Sequence, residues 1–382
     1  MYLLEHDAKY LLAANGVAVP AGCLMESAES IPSDLPSGPW VIKAQVSAGG
    51  RGKAGLIKRA SRREDIAGLT RGMWGATLKG RAVHSLRIEQ QVSEASEAYV
   101  ALLLEGAEGA VRIIMAAEGG MDIETLPADK IRSCVVRAEL GALQSAVREL
   151  AASWDGPRAN ALREAGEQLA RVFLEREAML VEVNPLFVRK DGSWVAGDAK
   201  LVTDDNAIER QPEIKALLER RKSAYPEAHV KLEHGFDYVV VDPDGEIGLL
   251  TTGAGLSMML IDELRQQGLK PYNFLDIRTG GMRGDPARLV SVMQWLAEGR
   301  HIKVVLINVF AGITELGEFS KLLVTALDRV PELHVPVVAR LVGNGLSAAR
   351  VVLERAGIPL HTDLDGAVRE VKAALERARP AS

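Results

Sequence analysis

The chain has 382 residues, of which 47% are hydrophobic and 25% are charged, and its formal net charge is −5. These values are typical of a globular protein with two or three domains, and they exclude an overall basic surface for nucleic acid. The first residues lack a basic segment followed by an apolar run, so we expect no signal peptide. The longest uncharged stretch, 247–261, is too short to span a membrane. Two cysteines without metal-ligand spacing favour a cytoplasmic protein without disulfides.

The first half of the chain predicts a mixture of strands and helices. Residues 4–15 have apolar side chains at helical spacing, and Gly16 follows as a stop signal. Residues 40–46 alternate as a strand, and a glycine-rich loop at 48–55 leads into a return strand at 56–59. The later predicted elements are two strands, a helix, a β-hairpin and a charged helix that begins at a proline: 87–92, 98–104, 158–174, 179–188 with 194–201, and 212–224.

Beyond about residue 236, short apolar strands alternate with amphipathic helices, which is typical of a doubly wound parallel sheet. The predicted strands are 247–252, 273–277, 304–309, 335–341 and 359–361. The predicted helices are 256–267, 287–297, 316–327, 347–356 and 364–378. Residues 225–229 are the best candidate for a linker. We therefore expect a first domain over residues 1–226 and a second over residues 236–382.

The glycine-rich loop Gly50-Arg51-Gly52-Lys53-Ala54-Gly55 matches G-x-G-x-x-G. A dinucleotide-binding loop of that pattern opens into a helix, whereas a strand is predicted here, and a P-loop would have Ser or Thr after Lys53. A loop between two strands with two cations can fold over phosphates. A solvated hairpin tip explains the same residues about equally well.

Polar side chains gather on the predicted hairpin of residues 179–201. Glu182 and Asn184 point to the same face of a strand, and a three-residue turn would place Asn184 opposite Asp198. Carboxylate and amide oxygens on one face suit Mg²⁺ together with nucleotide phosphates. For an arbitrary pair of this kind, an exposed polar hairpin face is the commoner explanation.

Two glycine-containing turns, Gly253-Ala254-Gly255 and Phe310-Ala311-Gly312-Ile313, follow predicted parallel strands. Open α/β sheets bind ligands at this edge, and helix N-termini there favour an anion. Tight packing turns are the alternative explanation for either one. None of the seven histidines lies in such a turn, so a covalent nucleophile, if the chemistry uses one, is expected on another chain.

Together these motifs resemble the β subunits of succinyl-CoA synthetase, nearly end to end and in the same order. The segments that carry the resemblance are WVIKAQV (40–46), AGGRGKAG (48–55), VEVNPL (181–186), GDAKLVTDDNAIERQP (197–212), TGAGLSMM (252–259), NFLDI (273–277), INVFAGI (307–313) and VPVVARLVGNG (335–345). The resemblance implies an α/β protein with an ATP-grasp domain followed by a flavodoxin-like doubly wound parallel α/β domain.

The resemblance also assigns roles to single residues. The implied nucleotide-binding residues are Lys43, Gly50, Arg51, Gly52, Glu89 and Glu97. Asn184 and Asp198 correspond to Mg²⁺ ligands, and Glu182 to the catalytic glutamate that meets a phosphohistidine of the partner. The implied substrate-binding residues are Thr252, Gly253, Gly312, Ile313 and Thr314.

The reaction implied by the resemblance is ADP-forming synthesis of an acyl-CoA. ATP, or another nucleoside triphosphate, would phosphorylate a histidine of an α-type subunit that carries a CoA-binding domain. The phosphate would pass to a small carboxylic acid, and CoA would then displace it. In the first step this chain would contribute positioning and charge neutralisation.

Departures from the family pattern gather at the substrate end. Thr252 replaces a usual Asn, Arg278-Thr279 replace glycines, Ala311 replaces a glycine, and Val342 replaces an acidic residue. They raise two alternatives: a ligase for malate or another polar carboxylate, and a nucleotide-binding regulatory subunit without turnover. A carboxylate–amine ligase acting alone is disfavoured, because the second domain has no role in that chemistry.

Overall fold

Two compact units, Met1–Leu217 and Leu218–Ser382, make up the chain. The computed structural model describes residues 1–120, 123–278, 284–312 and 314–378. Within these ranges, no helix is both long enough and apolar enough to cross a membrane.

The first 220 residues contain antiparallel sheets and five helices among the described residues. Their bounds are α1 Glu5–Ala14, β1 Gly22–Met25, β2 Trp40–Ala44, β3 Ile57–Ala60, α2 Arg63–Met73, β4 Thr77–Leu78, β5 Arg81–Ala82, β6 Leu86–Gln90, β7 Ala95–Glu105, β8 Ala110–Ala116, β9 Ile131–Arg137, α3 Leu140–Ala151, α4 Gly156–Glu175, β10 Ala178–Arg189, β11 Trp194–Ala196, β12 Lys200–Thr203 and α5 Pro212–Arg220.

Two larger sheets organise this unit. One has the strand order β1-β6-β2-β3, and the other has the order β11-β10-β7-β8-β9, with β12 also paired to β10. The apolar stripe of α4, which includes Leu162, Leu169 and Val172, is fully buried against the second sheet, where α4 contacts β7 and β10. The helices, strands and hairpin that the sequence predicts for the first half of the chain are confirmed. Strands β8 and β9 and helix α3 were not predicted.

The second unit contains a parallel sheet with helices on both faces. Its elements are α6 Pro226–His234, β13 Asp237–Val240, β14 Ile247–Thr251, α7 Ala254–Gln266, β15 Asn273–Asp276, α8 Ala287–Ala297, β16 Val304–Ala311, α9 Leu316–Arg329, β17 Val337–Gly343, α10 Leu346–Arg355, β18 Leu360–His361 and α11 Leu364–Arg377. The four strands β14-β16-β17-β18 are parallel.

Alternation along β16 explains why both faces are covered. Val305, Ile307 and Val309 pack into a core with α8, α9 and α10, while Val304 and Leu306 pack on the other face with α7 and α11. Successive side chains of a strand point to opposite faces, so an unbroken apolar strand needs helices on both sides. The predicted doubly wound sheet is therefore confirmed.

Two details differ from the sequence prediction. Strand β15 pairs antiparallel with the unpredicted strand β13, and its Asn273 side chain bridges to β14 through the N–H (2.8 Å) and C=O (2.9 Å) of Leu249. The linker candidate at 225–229 is helical from Pro226, where α6 begins. Proline is tolerated at the first helical position, where its missing N–H has no helical partner.

Candidate active site

A cleft of about 810 Å³ lies in the first unit, between the glycine-rich loop and the hairpin of β10. The residues that line it include Tyr2, Glu5, Val46, Gly49, Gly50, Arg51, Gly52, Lys53, Tyr99, Gly120, Glu182, Asn184, Asp198 and Lys200. The structure therefore brings two separately predicted motifs, the loop and the hairpin, to one cavity. Six of the predicted site residues are on its wall.

The hairpin register places Asn184 opposite Asp198. Leu186 pairs with Ala196 on one side, and Glu182 pairs with Lys200 on the other. Both pairings follow the same register, so Asn184 and Asp198 occupy facing positions between them, as the turn length predicted. Asn184 Oδ1 accepts a hydrogen bond of 2.7 Å from the backbone N–H of Gly120. Lys200 Nζ lies 3.8 Å from Glu182 Oε2.

The glycine-rich loop connects β2 and β3 and places Arg51 in the cleft. The loop closes on itself through the N–H of Leu56, which donates to the C=O of Arg51 at 2.9 Å. Gly50 has a φ of +93°, in the region that favours glycine. Arg51 Nη2 donates to both carboxylate oxygens of Asp198, at 2.9 and 2.8 Å. The loop is therefore tied to the hairpin by an ion pair in which one guanidinium nitrogen contacts both carboxylate oxygens.

From the cleft wall inward lies a group of charged side chains that we call the ionic cluster. Its members are Glu5, Lys9, Lys43, Arg51, Arg87, Glu89 and Asp198. Four cations thus face three carboxylates.

Lys43 and Glu89 belong to the inner part of the ionic cluster and are not on the cleft wall. Lys43 Nζ lies 2.8 Å from both Glu5 and Glu89 and donates to the C=O of Gly197 at 2.6 Å. Lys9 also contacts both glutamates, at 2.7 Å, and donates to the same carbonyl at 2.8 Å. The two lysines therefore hold the turn that carries Asp198. Direct contact of Lys43 or Glu89 with a nucleotide stays a prediction.

Glu5 and Lys43 stay charged although they are buried, whereas burial lowers the pKa of Lys9 and raises the pKa of Asp198. Burial alone would raise the pKa of Glu5, but Lys43, Lys9 and Arg51 hold that pKa well below its usual value. Burial likewise opposes the charge of Lys43, but Glu5 and Glu89 raise its pKa. Removing one partner from such a group leaves an uncompensated buried charge, which costs about 3–5 kcal/mol.

Several residues of the site were not predicted from the sequence: Tyr2, Glu5, Lys9, Arg87, Gly120, Gly197 and Lys200. Glu5 and Lys9 carried a signal, since they are charged residues four apart beside the apolar stripe of α1. Gly197 cannot carry a side chain, because a Cβ would lie 2.3 Å from the ring of Phe187. Burial raises the pKa of Tyr2 to about 12, so its hydroxyl keeps its proton to a higher pH than an exposed tyrosine does.

Glu97 lies on β7, exposed, and is not on the cleft wall. It nevertheless borders Gly120, because a Cβ at Gly120 would meet Glu97 Oε2 at 1.7 Å. Gly120 therefore fits between Glu97 and Asn184, and this glycine links the two predicted residues.

The oxygens of Asn184 and Asp198 suit Mg²⁺, which takes one or two protein oxygens in addition to phosphate oxygens. Among the described residues, no three His, Cys, Asp or Glu side chains are grouped to hold a metal on their own. The donor set is therefore adequate for a metal that arrives with nucleotide oxygens.

The predicted substrate residues lie in the second unit, at the carboxyl edge of the parallel sheet. Gly253 follows β14, and Gly312 follows the adjacent strand β16. Gly253 donates its N–H to Asp276 Oδ1 at 2.8 Å, and the C=O of Gly312 accepts from Asn344 Nδ2 at 3.3 Å. Both glycines are exposed.

Thr252 and Thr314 are half-buried. The hydroxyl of Thr252 is buried and has no hydrogen-bond partner among the described residues. Ile313 and Thr279 lie outside the described residues.

Comparisons with known proteins agree with this geometry. Residues 2–188 match the ATP-grasp domain family, and residues 250–374 match the CoA-ligase family. A solved structure of ATP citrate lyase from Methanothrix soehngenii, in complex with citrate and coenzyme A, superposes with a TM-score of 0.71 at 19% identity, covering 98% of this chain and 99% of that chain. That similarity supports the fold.

Relatives found by sequence are more similar to this chain than the ATP citrate lyase is. The β subunit of ADP-forming succinate–CoA ligase from Chloroflexus aurantiacus is 37% identical over 385 residues, covering 98% of this chain and 99% of the relative. The protein of the same name from Ignicoccus hospitalis is 34% identical over 377 residues, covering 97% and 98%. The predicted resemblance and the order of the two domains are confirmed, and the chain belongs to the family of β subunits of ADP-forming succinate–CoA ligases.

Proposed function

We propose that this chain is the nucleotide-binding β subunit of an ADP-forming acid–CoA ligase that works with an α-type subunit. The observation that supports it most is the cleft in the first unit, whose wall combines a glycine-rich loop, Arg51, and the oxygens of Glu182, Asn184 and Asp198. Family membership supports the same reaction class.

In this proposal the γ-phosphoryl group of ATP moves to a ring nitrogen of a histidine on the α-type subunit, and ADP leaves. The phosphoryl group then moves to a carboxylate oxygen of the acid, giving an acyl phosphate. The CoA thiol attacks its carbonyl carbon, so that a thioester and inorganic phosphate are produced. CoA would bind to the partner subunit.

The residues of this chain act by positioning and charge. The loop N–H groups and Arg51 would bind the phosphates, while Lys43 and Lys9 support the cleft floor. Asn184 and Asp198 would hold Mg²⁺, which neutralises phosphate charge when bound. Glu182, beside Lys200, would meet the partner's histidine.

Co-purified with its α-type partner, the chain should release ADP over many turnovers only when Mg²⁺, CoA and an acid are all present, and without CoA and acid the release should stop after phosphorylation of the partner's histidine. Asp198→Asn should lower that rate at least about 100-fold. Asp191→Asn is the matched control. Asp191 lies in the turn of the same hairpin, and its side chain accepts hydrogen bonds from Ser193. Continued turnover of ATP to ADP without CoA and acid, or a rate that is unchanged by Asp198→Asn, would contradict the proposal.

Succinate is the first acid to test, because the relatives carry that name. Arg278 favours an alternative, malate or another polar acid. Its N–H donates to Asp276 Oδ1 at 3.4 Å, the oxygen that also holds Gly253, and its side chain is 62% exposed. An exposed cation near the predicted acid site would favour a substrate with additional oxygens. A panel of acids decides this, and a higher kcat/KM for succinate than for all the others would exclude the alternative.

A further inference from the structure

Arg51 covers the carboxylate that is proposed to bind the metal. Its Nη2 donates to Asp198 Oδ1 and Oδ2, at 2.9 and 2.8 Å, and the N–H of Ala199 also donates to Oδ1, at 2.7 Å. The other guanidinium nitrogen, Nη1, is held by Glu5 Oε2 at 2.7 Å and by the C=O of Ala44 at 3.0 Å. Without a nucleotide, Asp198 thus already has a cation.

A free divalent cation would have to displace this guanidinium. The Arg51 side chain is only 11% exposed and that of Asp198 25%, so water screens the ion pair poorly. Hydrogen bonds between charged partners are among the stronger ones in proteins. A metal placed beside Arg51 without other anions would also meet a like charge.

A nucleotide changes this balance. Its phosphate oxygens are bidentate partners for a guanidinium that are as good as a carboxylate. When Arg51 turns to the phosphates, Asp198 loses one cation and becomes available to another. Open space lies beside the loop, since a Cβ built at Gly49 or Gly50 has no heavy atom within 4 Å.

We propose that Arg51 is a counter-cation that keeps divalent metal ions off Asp198 until the phosphates of a nucleotide draw it away, so that metal and nucleotide enter together. This inference rests on the proposed function, which assigns Asp198 to the metal. Arg51 acts here as a positioning residue in addition to binding phosphate.

The test measures Mn²⁺ binding to the full chain without nucleotide, from the loss of the free-ion signal in electron paramagnetic resonance. Wild type should bind Mn²⁺ weakly, and Arg51→Gln should bind it at least tenfold more tightly. The gain should disappear in Arg51→Gln/Asp198→Asn. Arg210→Gln is the matched control, because Arg210 holds Glu177 through a similar multidentate contact at an exposed position, and this variant should match wild type.

A second variant, Arg51→Lys, keeps the inference testable if Arg51→Gln does not fold. Arg51→Lys keeps the charge, but its single nitrogen cannot bind Asp198 while also binding Glu5 and the C=O of Ala44, as Nη2 and Nη1 do in the wild type. We therefore expect a gain in Mn²⁺ affinity that is smaller than that of Arg51→Gln. Equal Mn²⁺ affinity in wild type, Arg51→Gln and Arg51→Lys, or a gain that survives Asp198→Asn, overturns the inference.

Binding of Mn²⁺ with ADP separates this inference from the proposed function. If wild type binds Mn²⁺ with ADP and Asp198→Asn weakens that binding, the metal assignment holds whatever the Arg51 variants do. If Asp198→Asn has no effect on binding with ADP, the metal assignment itself fails, and the Arg51 inference fails with it.

Discussion

The ionic cluster should be needed for the stability of the first unit, and Lys9→Met tests this most cleanly. Lys9 is 1% exposed. Its ammonium contacts Glu89 Oε2 and Glu5 Oε1 at 2.7 Å, and it donates to the C=O of Gly197 at 2.8 Å. Methionine has a similar shape but carries no charge, so the variant leaves three cations facing three carboxylates. Because Lys43 still contacts both glutamates, we expect the lower end of the usual cost, about 3 kcal/mol.

The assay is urea unfolding followed by tryptophan fluorescence. Four of the five tryptophans lie in the first unit: Trp40, Trp74, Trp154 and Trp194. With a slope of about 3 kcal/mol per molar urea for a unit of this size, the midpoint should fall by about 1 M. Lys130→Met is the control, because Lys130 forms an exposed pair with Glu118 at 3.2 Å, for which roughly 1 kcal/mol or less is expected. Equal midpoint shifts in the two variants would refute the reasoning.

Three further predictions concern a glycine of the cleft, a pair of neighbouring threonines and the glutamates of the ionic cluster. Gly120→Ala combines a positive φ of +75° with a Cβ 1.7 Å from Glu97 Oε2, so it should weaken Mg-ADP binding about tenfold in calorimetry, while Gly106→Ala, which faces open space, should not. Thr252→Val should leave the Tm of the second unit unchanged or raised, because its hydroxyl has no partner among the described residues. Thr251→Val should lower that Tm by roughly 3–6 °C, since its hydroxyl bonds to Ser257 and to the C=O of Leu275. The pKa values of both cluster glutamates are lowered, so their stabilisation is full above about pH 4.3 and is lost as the pH falls through the folded-state values. Changing one of them to Gln should therefore flatten the loss of unfolding free energy in acid, and an unchanged slope would contradict the assignment.

Much of the fold followed from local patterns. The strand at Val304–Ala311, which is apolar except for Asn308, required cover on both faces, and its helices follow from spacing and caps. Strand β9 was missed because it is nowhere fully buried, so its alternation is weak. Strand β8 did alternate, with Val111, Ile113 and Met115 buried, and could have been found.

The site was predictable only in part. The hairpin register followed from the length of its turn, which placed Asn184 opposite Asp198. The ionic cluster could not be predicted, because Lys9 contacts Glu89 and Gly197, which lie 80 and 188 residues away in the sequence. Periodicity within one helix carries no information about partners that distant.

Transfer of the labelled γ-phosphate of ATP tests the account most directly. The full chain, its α-type partner, Mg²⁺ and labelled ATP are mixed without acid or CoA, and each subunit is then analysed for label. We predict acid-labile label on the partner subunit and its loss when this chain carries Asp198→Ala. An absence of label on the partner, although this chain binds the nucleotide tightly, would contradict the account and favour a regulatory subunit without turnover.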